Sequence, residues 1–283
     1  LKPRATPPFR LRGWPLLSGE QGAMALEPAS RPLSDESKGV TRGEVIRDYQ
    51  PSAGTRWRDA PPDYGLVNQV YFSHRTKAHA AGSLEAVVTK LIKNWEVEVH
   101  NIADFQRWKT VDTSKFRAAI SGGCPFSAQN VADVGHVNML LGETPQYSAA
   151  LNTLESSSAI FREAFPEGFA WEVLEVLSGP PNLTFKWRHF GKFLGTYPDR
   201  NGTRHRGAGR LVNLVGICVA KVSERMLIQT IDVYYNPEDL LKHLVTKVKA
   251  TDEEEAPVGC DEAEAEAFRT PAVCSRLADC TVS

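Results

Sequence analysis

The chain has 283 residues, is 42% apolar and carries a net charge of −1. That length holds one good core with tails or two small domains, and near-neutrality gives no general attraction to nucleic acid or to a membrane surface. No run of about 18 apolar residues is present, which excludes a membrane-spanning helix, and the five cysteines, Cys124, Cys218, Cys260, Cys274 and Cys280, form neither a CxxC pair nor a zinc-type cluster. A reducing compartment, the cytoplasm, is therefore expected, with no disulfide framework.

Residues 1–48 carry no sustained periodicity and are expected to lack order. Within them residues 1–23 are basic and rich in Arg, Pro and Gly, and Met24 follows. Two readings stand: a targeting peptide, or sequence upstream of the real start at Met24. The missing amphipathic pattern favours the second. Residues 51–82 read as an irregular arm with a short helix near 63–73, docked through Trp57, Tyr64, Tyr71 and Phe72.

Ser83 is the cap of a clear helix. Leu84, Val87, Val88, Leu91, Ile92 and Trp95 recur at helical spacing, so one face is buried, and Glu85 suits the positive end of the helix dipole. Lys115–Ser121 alternates and predicts a short strand stopped by Gly122-Gly123. Ser127 caps a second helix with Val131, Val134, Val137 and Leu141 inward; 142–155 reads as a loop; a third helix starts at Ser156 or Ser157 and stops at Pro166.

Between Phe169 and Asn236 apolar and polar residues alternate, punctuated by turn residues at Ser178–Asn182, Gly195–Gly209 and Val222–Arg225. That pattern predicts a curved meander of four antiparallel strands with helices covering one face. Pro237 opens a last helix through Lys247, with Leu240, Leu241 and Leu244 inward. Beyond it, residues 248–283 turn acidic and are expected to be a solvated tail. The expected organisation is one α+β domain over 49–247 with a tail on each side.

Several blocks in order, APPDYGLVNQVYFSHRT, GSLEAVVTKLIKNWEVEVHN, FPEGFAWEVLEVLSGPPNLTFKWRHFG and IDVYYNPEDLLKHL, resemble the plant pathogen-related proteins over about Tyr49–Val245. These are similar in turn to SnoaL-like polyketide cyclases, of the cone-shaped fold shared with nuclear transport factor 2 and ketosteroid isomerase. The resemblance implies a curved sheet wrapped around N-terminal helices, an apolar pocket inside, pairing of two copies through the outer sheet face, and a place in stress or defence. It implies no particular activity, since relatives of this fold include isomerases, cyclases, dehydratases and non-catalytic binding domains.

Chemistry in such an interior needs a base, an acid and a donor. Thr230, Asp232 and Tyr234 share one strand face; Phe185, Trp187 and His189 share another. If both faces turn inward, Asp232 and His189 form a catalytic acid–base pair, with Tyr234 as donor. If Ile231 and Val233 face in, Asp232 points out and the pair dissolves. Trp95, Trp108, Trp171, Phe185, Trp187, Phe190 and Tyr234 are candidate walls for a flat apolar ligand, or simply fill the core. Arg188 and Lys186 read as a solvated strand face, and Arg204-His205-Arg206 as a solvated loop, a weak signal for nucleic acid. The seven histidines are too dispersed for a metal site. The expected function is small-molecule binding. The alternatives are a cofactor-free isomerase, cyclase or dehydratase acting on an apolar carbonyl compound, and a dimerising interaction domain. No cofactor, nucleic acid or membrane is expected.

Overall fold

The computed structural model describes residues 46–246. Expectations for residues 1–45 and 247–283, including those for Cys260, Cys274 and Cys280, lie outside the described residues. In chain order the elements are α1 (Gly65–His74), α2 (Leu84–Asn101), β1 (Arg117–Ile120), β2 (Phe126–Ser127), α3 (Ala128–Val134), α4 (His136–Leu141), α5 (Leu154–Ala164), β3 (Ala170–Ser178), β4 (Asn182–Lys192), β5 (Thr196–Pro198), β6 (Arg204–Arg206), β7 (Leu211–Val222), β8 (Ile228–Tyr234) and α6 (Pro237–Val245). The main sheet runs β2-β1-β8-β7-β4-β3, so the expected four-strand meander is β3, β4, β7 and β8. One parallel pairing, β1 on β8, extends it. The chain is thus an α+β protein with a curved sheet packed around helices.

Local chemistry accounts for the helix starts. The Ser83 hydroxyl accepts from the Ala86 N–H. Ser127 with Asn130, and Thr153 with Ser156, form reciprocal capping boxes. Asn236 caps α6, and Pro237 sits where a missing N–H costs nothing. The third helix therefore begins earlier than Ser156, because Thr153 is the better cap. The second expected helix is two: Gly135, at φ +87°, ends α3 and starts α4, and a side chain there would press on Leu154. The break leaves Val134 exposed, contrary to its expected inward place. The loop after Gly195 also carries more structure than expected, the β5–β6 hairpin.

Strand pairing sets the faces. Phe185 pairs with Cys218 and Cys218 with Val233; Leu183 pairs with Ala220 and Ala220 with Ile231. Paired residues share a face, so Ile231 and Val233 join the inward set and are buried, at 2% and 6% exposed. Inward residues of β3, β4, β7 and β8 form one core with α2 to α6. Among the described residues the outer face is covered at one edge, where α1 lays Val70 and Tyr71 on Ala170 and Phe190. There Arg188, expected to be solvated, pairs instead with the buried Glu172 at 2.8 Å, and Glu172 also accepts from the Thr76 N–H at 2.9 Å. Lys186 does stay exposed, bridged to Glu175. His205 is tucked against Asp199 at 3.0 Å.

Trp187 pairs with Gly216, and its indole lies over that glycine: an added Cβ would meet Trp187 Cζ2 at 2.3 Å and the Tyr234 carbonyl at 2.7 Å. Gly216→Ala should therefore lower unfolding stability by about 1–3 kcal/mol, the usual penalty of overpacking, and shift the tryptophan fluorescence. Denaturant titration of the two chains checks this; equal midpoints and spectra would mean the ring moves aside freely.

Candidate functional site

Helix α2 carries two stripes. Val88, Ile92, Trp95 and Val99 enter the core. Lys93, Glu96 and His100, at i, i+3 and i+7, form a second line on the helix, and it too is enclosed. Lys93 is 1% exposed. Its Nζ donates to the Trp171 carbonyl at 2.6 Å and lies over the Tyr71 and Trp171 rings. Glu96 accepts from Arg47 at 3.1 Å. Arg47 also donates to Asn68 at 2.6 Å and stacks on Tyr64, 4.0 Å from the ring centre.

Two further histidines face this line. The Nε2 atoms of His100 and His136 meet in a hydrogen bond, with ring centres 3.5 Å apart. Two imidazoles can share such a bond only if one nitrogen carries the proton and the other is bare. His189 on β4 stacks against Phe169 at 5.0 Å and stands edge-on to Trp187 at 5.7 Å. Among the described residues its Nδ1 is buried with no hydrogen-bond partner, as is the indole N–H of Trp95, while the Trp187 N–H has only the weak sulfur acceptor of Cys218 beside it. Tyr235 stands edge-on to Trp187 and donates to the Leu140 carbonyl.

Burial decides the charges. It holds His100 at about 4 and His189 at about 4, and with His100, His189 and Arg58 nearby it keeps His136 well below the ordinary imidazole value. Burial lowers Lys93 to about 7. For Glu96 burial works against the charge, but Lys93, Arg47, His189 and His100 outweigh it and hold the carboxyl below its usual value. Near neutral pH the site is one carboxylate, one guanidinium, one readily titrated amine and three neutral imidazoles. Among the described residues no group of three or more His, Cys, Asp or Glu is arranged to hold a metal ion.

The expected Asp232–His189 pair does not form. Asp232 pairs with Val219 on the outward side, and its carboxylate accepts from the Gly122 N–H at 3.1 Å, anchoring the turn after β1. His189 is on the inward side, so the sheet separates the two. Tyr234 is likewise outward, 44% exposed, beside Asp232 rather than inside. Trp108 is buried, but its indole N–H is committed to the Ile102 carbonyl at 3.3 Å. Trp95, Trp171, Phe185 and Trp187 do lie in the inward core, Trp171 edge-on to Phe185 at 6.2 Å. Phe190 faces out, under α1. Lys93, Glu96, His100, His136 and Arg47 were not foreseen. The one signal in the sequence is the spacing of the first three on α2, and charged residues at that spacing normally mark a solvated face.

A cleft of about 240 Å3 lies elsewhere, lined by residues including Tyr147, Asn152, Asp199 and Arg200. None of the ionisable cluster lines it.

The fold and site define a class: an α+β protein whose curved sheet encloses ionisable groups among aromatic rings. Within it, the chain belongs to the pathogen-related protein family. It is 34% identical over 220 residues to the pathogen-related protein of Hordeum vulgare, covering 74% of this chain and 92% of that one. No family model matches the chain. Among solved structures, a protein described as a SnoaL-like polyketide cyclase from Jannaschia matches 61% of this chain and 99% of its own at 12% identity and a TM-score of 0.33. One described as a polyketide cyclase from Acidithiobacillus ferrooxidans matches 59% and 97% at 10% identity and a TM-score of 0.36. Scores of that size carry no argument about chemistry. Among the described residues no helix is long and apolar enough to cross a membrane.

The histidines fix a pH dependence of stability. In the unfolded chain they titrate near 6.5, above their folded values. Between about pH 4 and 6.5 the unfolded chain binds more protons at these histidines, so their share of the stability is full above that window and falls as pH drops through it. Urea midpoints measured from pH 7.5 down to 4.5 should decline, and the double change His100→Gln with His136→Gln should flatten the decline. An unchanged slope in the double variant would show that other groups set the acid limb.

Proposed function

We propose that this pathogen-related protein binds a small molecule inside its curved sheet, with an apolar, flat body between aromatic side chains and a polar group turned to the histidines. The observation that carries the reading is the set of buried polar atoms without a strong partner among the described residues: Trp95 Nε1 and His189 Nδ1, which have none, and Trp187 Nε1, which has only the Cys218 sulfur beside it. A buried donor or acceptor without a partner costs about 1–3 kcal/mol, and a ligand that pairs with it recovers that cost. The unit that binds is 49–247, in the cytoplasm, with stress or defence as its setting.

Catalysis by Asp232 with His189 is not part of it, because the two side chains lie on opposite faces of the sheet. The neutral imidazoles suit hydrogen bonding more than proton abstraction, since a base held near 4 is weak at neutral pH.

Titrating the full chain with flat aromatic compounds should quench tryptophan fluorescence and raise the melting temperature. Trp187→Phe, which keeps a ring but loses the N–H, should weaken binding roughly tenfold by losing one hydrogen bond. Absence of any thermal shift across a broad panel would overturn the reading.

The expected homodimer is proposed on a separate observation. Val215, Ile217 and Val219 point outward from β7 and are exposed at 57%, 37% and 45%, bounded by Asn213 and Lys221. A strip of this kind on a middle strand is self-complementary across a two-fold axis, so a second copy can cover it. Sedimentation should give twice the chain mass, and Val215→Glu with Val219→Glu should halve it; a monomeric parent chain would remove the idea.

A further inference from the structure

The ionisable cluster is short of negative charge. Arg47 and Lys93 are enclosed with three imidazoles, and the carboxylate among them, Glu96, is already taken by Arg47 at 3.1 Å. Among the described residues Lys93 has no carboxylate within ion-pair distance; its hydrogen bond goes to the Trp171 carbonyl, and its charge otherwise rests on ring faces. Among the described residues Trp95, 8% exposed, has an unpaired N–H in the same core, Trp187, 3% exposed, has only the weak Cys218 sulfur beside its N–H, and His189 offers an unpaired Nδ1. Every one of these unmet groups is a donor or becomes one on gaining a proton. A buried cation without a counterion is costly, and what such a site lacks is an anion bearing acceptor atoms.

Resting on the binding reading above, we infer that the ligand is an organic acid, a carboxylate or an ionised phenol or enol on an apolar body, and that its binding draws one proton from solution onto His189. The balance is simple: an anion and a proton enter together, His189 becomes an imidazolium, and the enclosed region gains no net charge. Lys93, lowered to about 7, completes its own protonation as the anion enters. Among the imidazoles His189 is the acceptor, because its Nδ1 has no partner among the described residues and the Ala170 backbone beside it favours the protonated ring, whereas the Nε2 atoms of His100 and His136 are engaged with each other. The groups that bear on this proton come from several elements. They are Lys93, Glu96 and His100 on α2, His136 on α4, Arg47 and Tyr64 from the arm before α1, and at longer range Arg58, Arg162 on α5 and Glu172 on β3. Of these Glu96 and Glu172 are carboxylates, and both are already paired with arginines.

The test uses two probes of one shape, 2-naphthoate and its neutral amide, 2-naphthamide, titrated calorimetrically into the full chain at pH 6.5. Repeating each titration in buffers of different ionisation heat counts the protons taken up. The carboxylate should bind roughly tenfold more tightly than the amide, as a charge-assisted hydrogen bond would give, with close to one proton taken up. Its affinity should rise from pH 8 to pH 6. His189→Gln, which keeps a neutral hydrogen-bonding side chain, should retain amide binding and lose the proton uptake except for the small fraction that Lys93, lowered to about 7, still takes at pH 6.5. Equal affinities with no proton uptake would overturn the anion inference and leave the binding reading standing. Binding of neither probe at millimolar concentration would overturn both. Should His189→Gln unfold, the two-probe comparison on the parent chain still decides.

Discussion

Burying the charged stripe of α2 is the constraint on which the rest of the site depends. A charge removed from water is costly unless it is paired, hydrogen-bonded or neutralised. Each group on this helix meets the demand differently. Glu96 takes Arg47 from the arm before α1, so the arm is tied to the helix by an ion pair 11% and 16% exposed at its two ends. Lys93 meets it with a backbone carbonyl and two ring faces. Glu98, fully buried, accepts from the Lys109 and Thr110 backbone and the Thr110 hydroxyl, which pins the segment leaving the helix. The histidines meet it by staying neutral. The helix therefore orders the chain on both sides of itself as the condition of its own burial.

The sheet supplies the second half of the enclosure, and its two faces differ because pairing register carries side-chain parity from strand to strand. On β7 every second residue is buried, from Val212 to Val222. Gly216 is the place in this row where a side chain is left out, and Trp187 of β4 fills that space. This brings an indole and, two residues on, an imidazole to the concave side. The outward row of β7 is apolar at its centre, which a solvated strand has no reason to be.

Membership of the pathogen-related family agrees with this architecture and leaves its chemistry open. What the site can do follows from composition and burial. It has many donors, few acceptors and little solvent. Its three imidazoles are too weakly basic to abstract protons at neutral pH, whereas Lys93, lowered to about 7, exchanges its proton there. Cys218, on the same inner face, is inert by the same physics, since burial pushes its thiol up.

The elements were largely legible in the chain, because alternation, helical spacing and cap residues are local properties. Ser83 before Leu84, Ser127 before Ala128, and the four alternating runs after Phe169 stand where the structure has them. Gly135 could have been read as a helix break, but a lone glycine in a helical pattern is ambiguous without the neighbour, Leu154, that forbids a side chain. The site was legible only in part. Period two groups Trp187 with His189 and Asp232 with Tyr234, but which group turns inward depends on which strand lies opposite, and that is a long-range fact. The sequence by itself determined which residues travel together. Only the tertiary structure decided which of them meet, because burial and pairing are made between segments far apart in the chain: His100 finds His136 across 36 residues, and Arg47 finds Glu96 across 49.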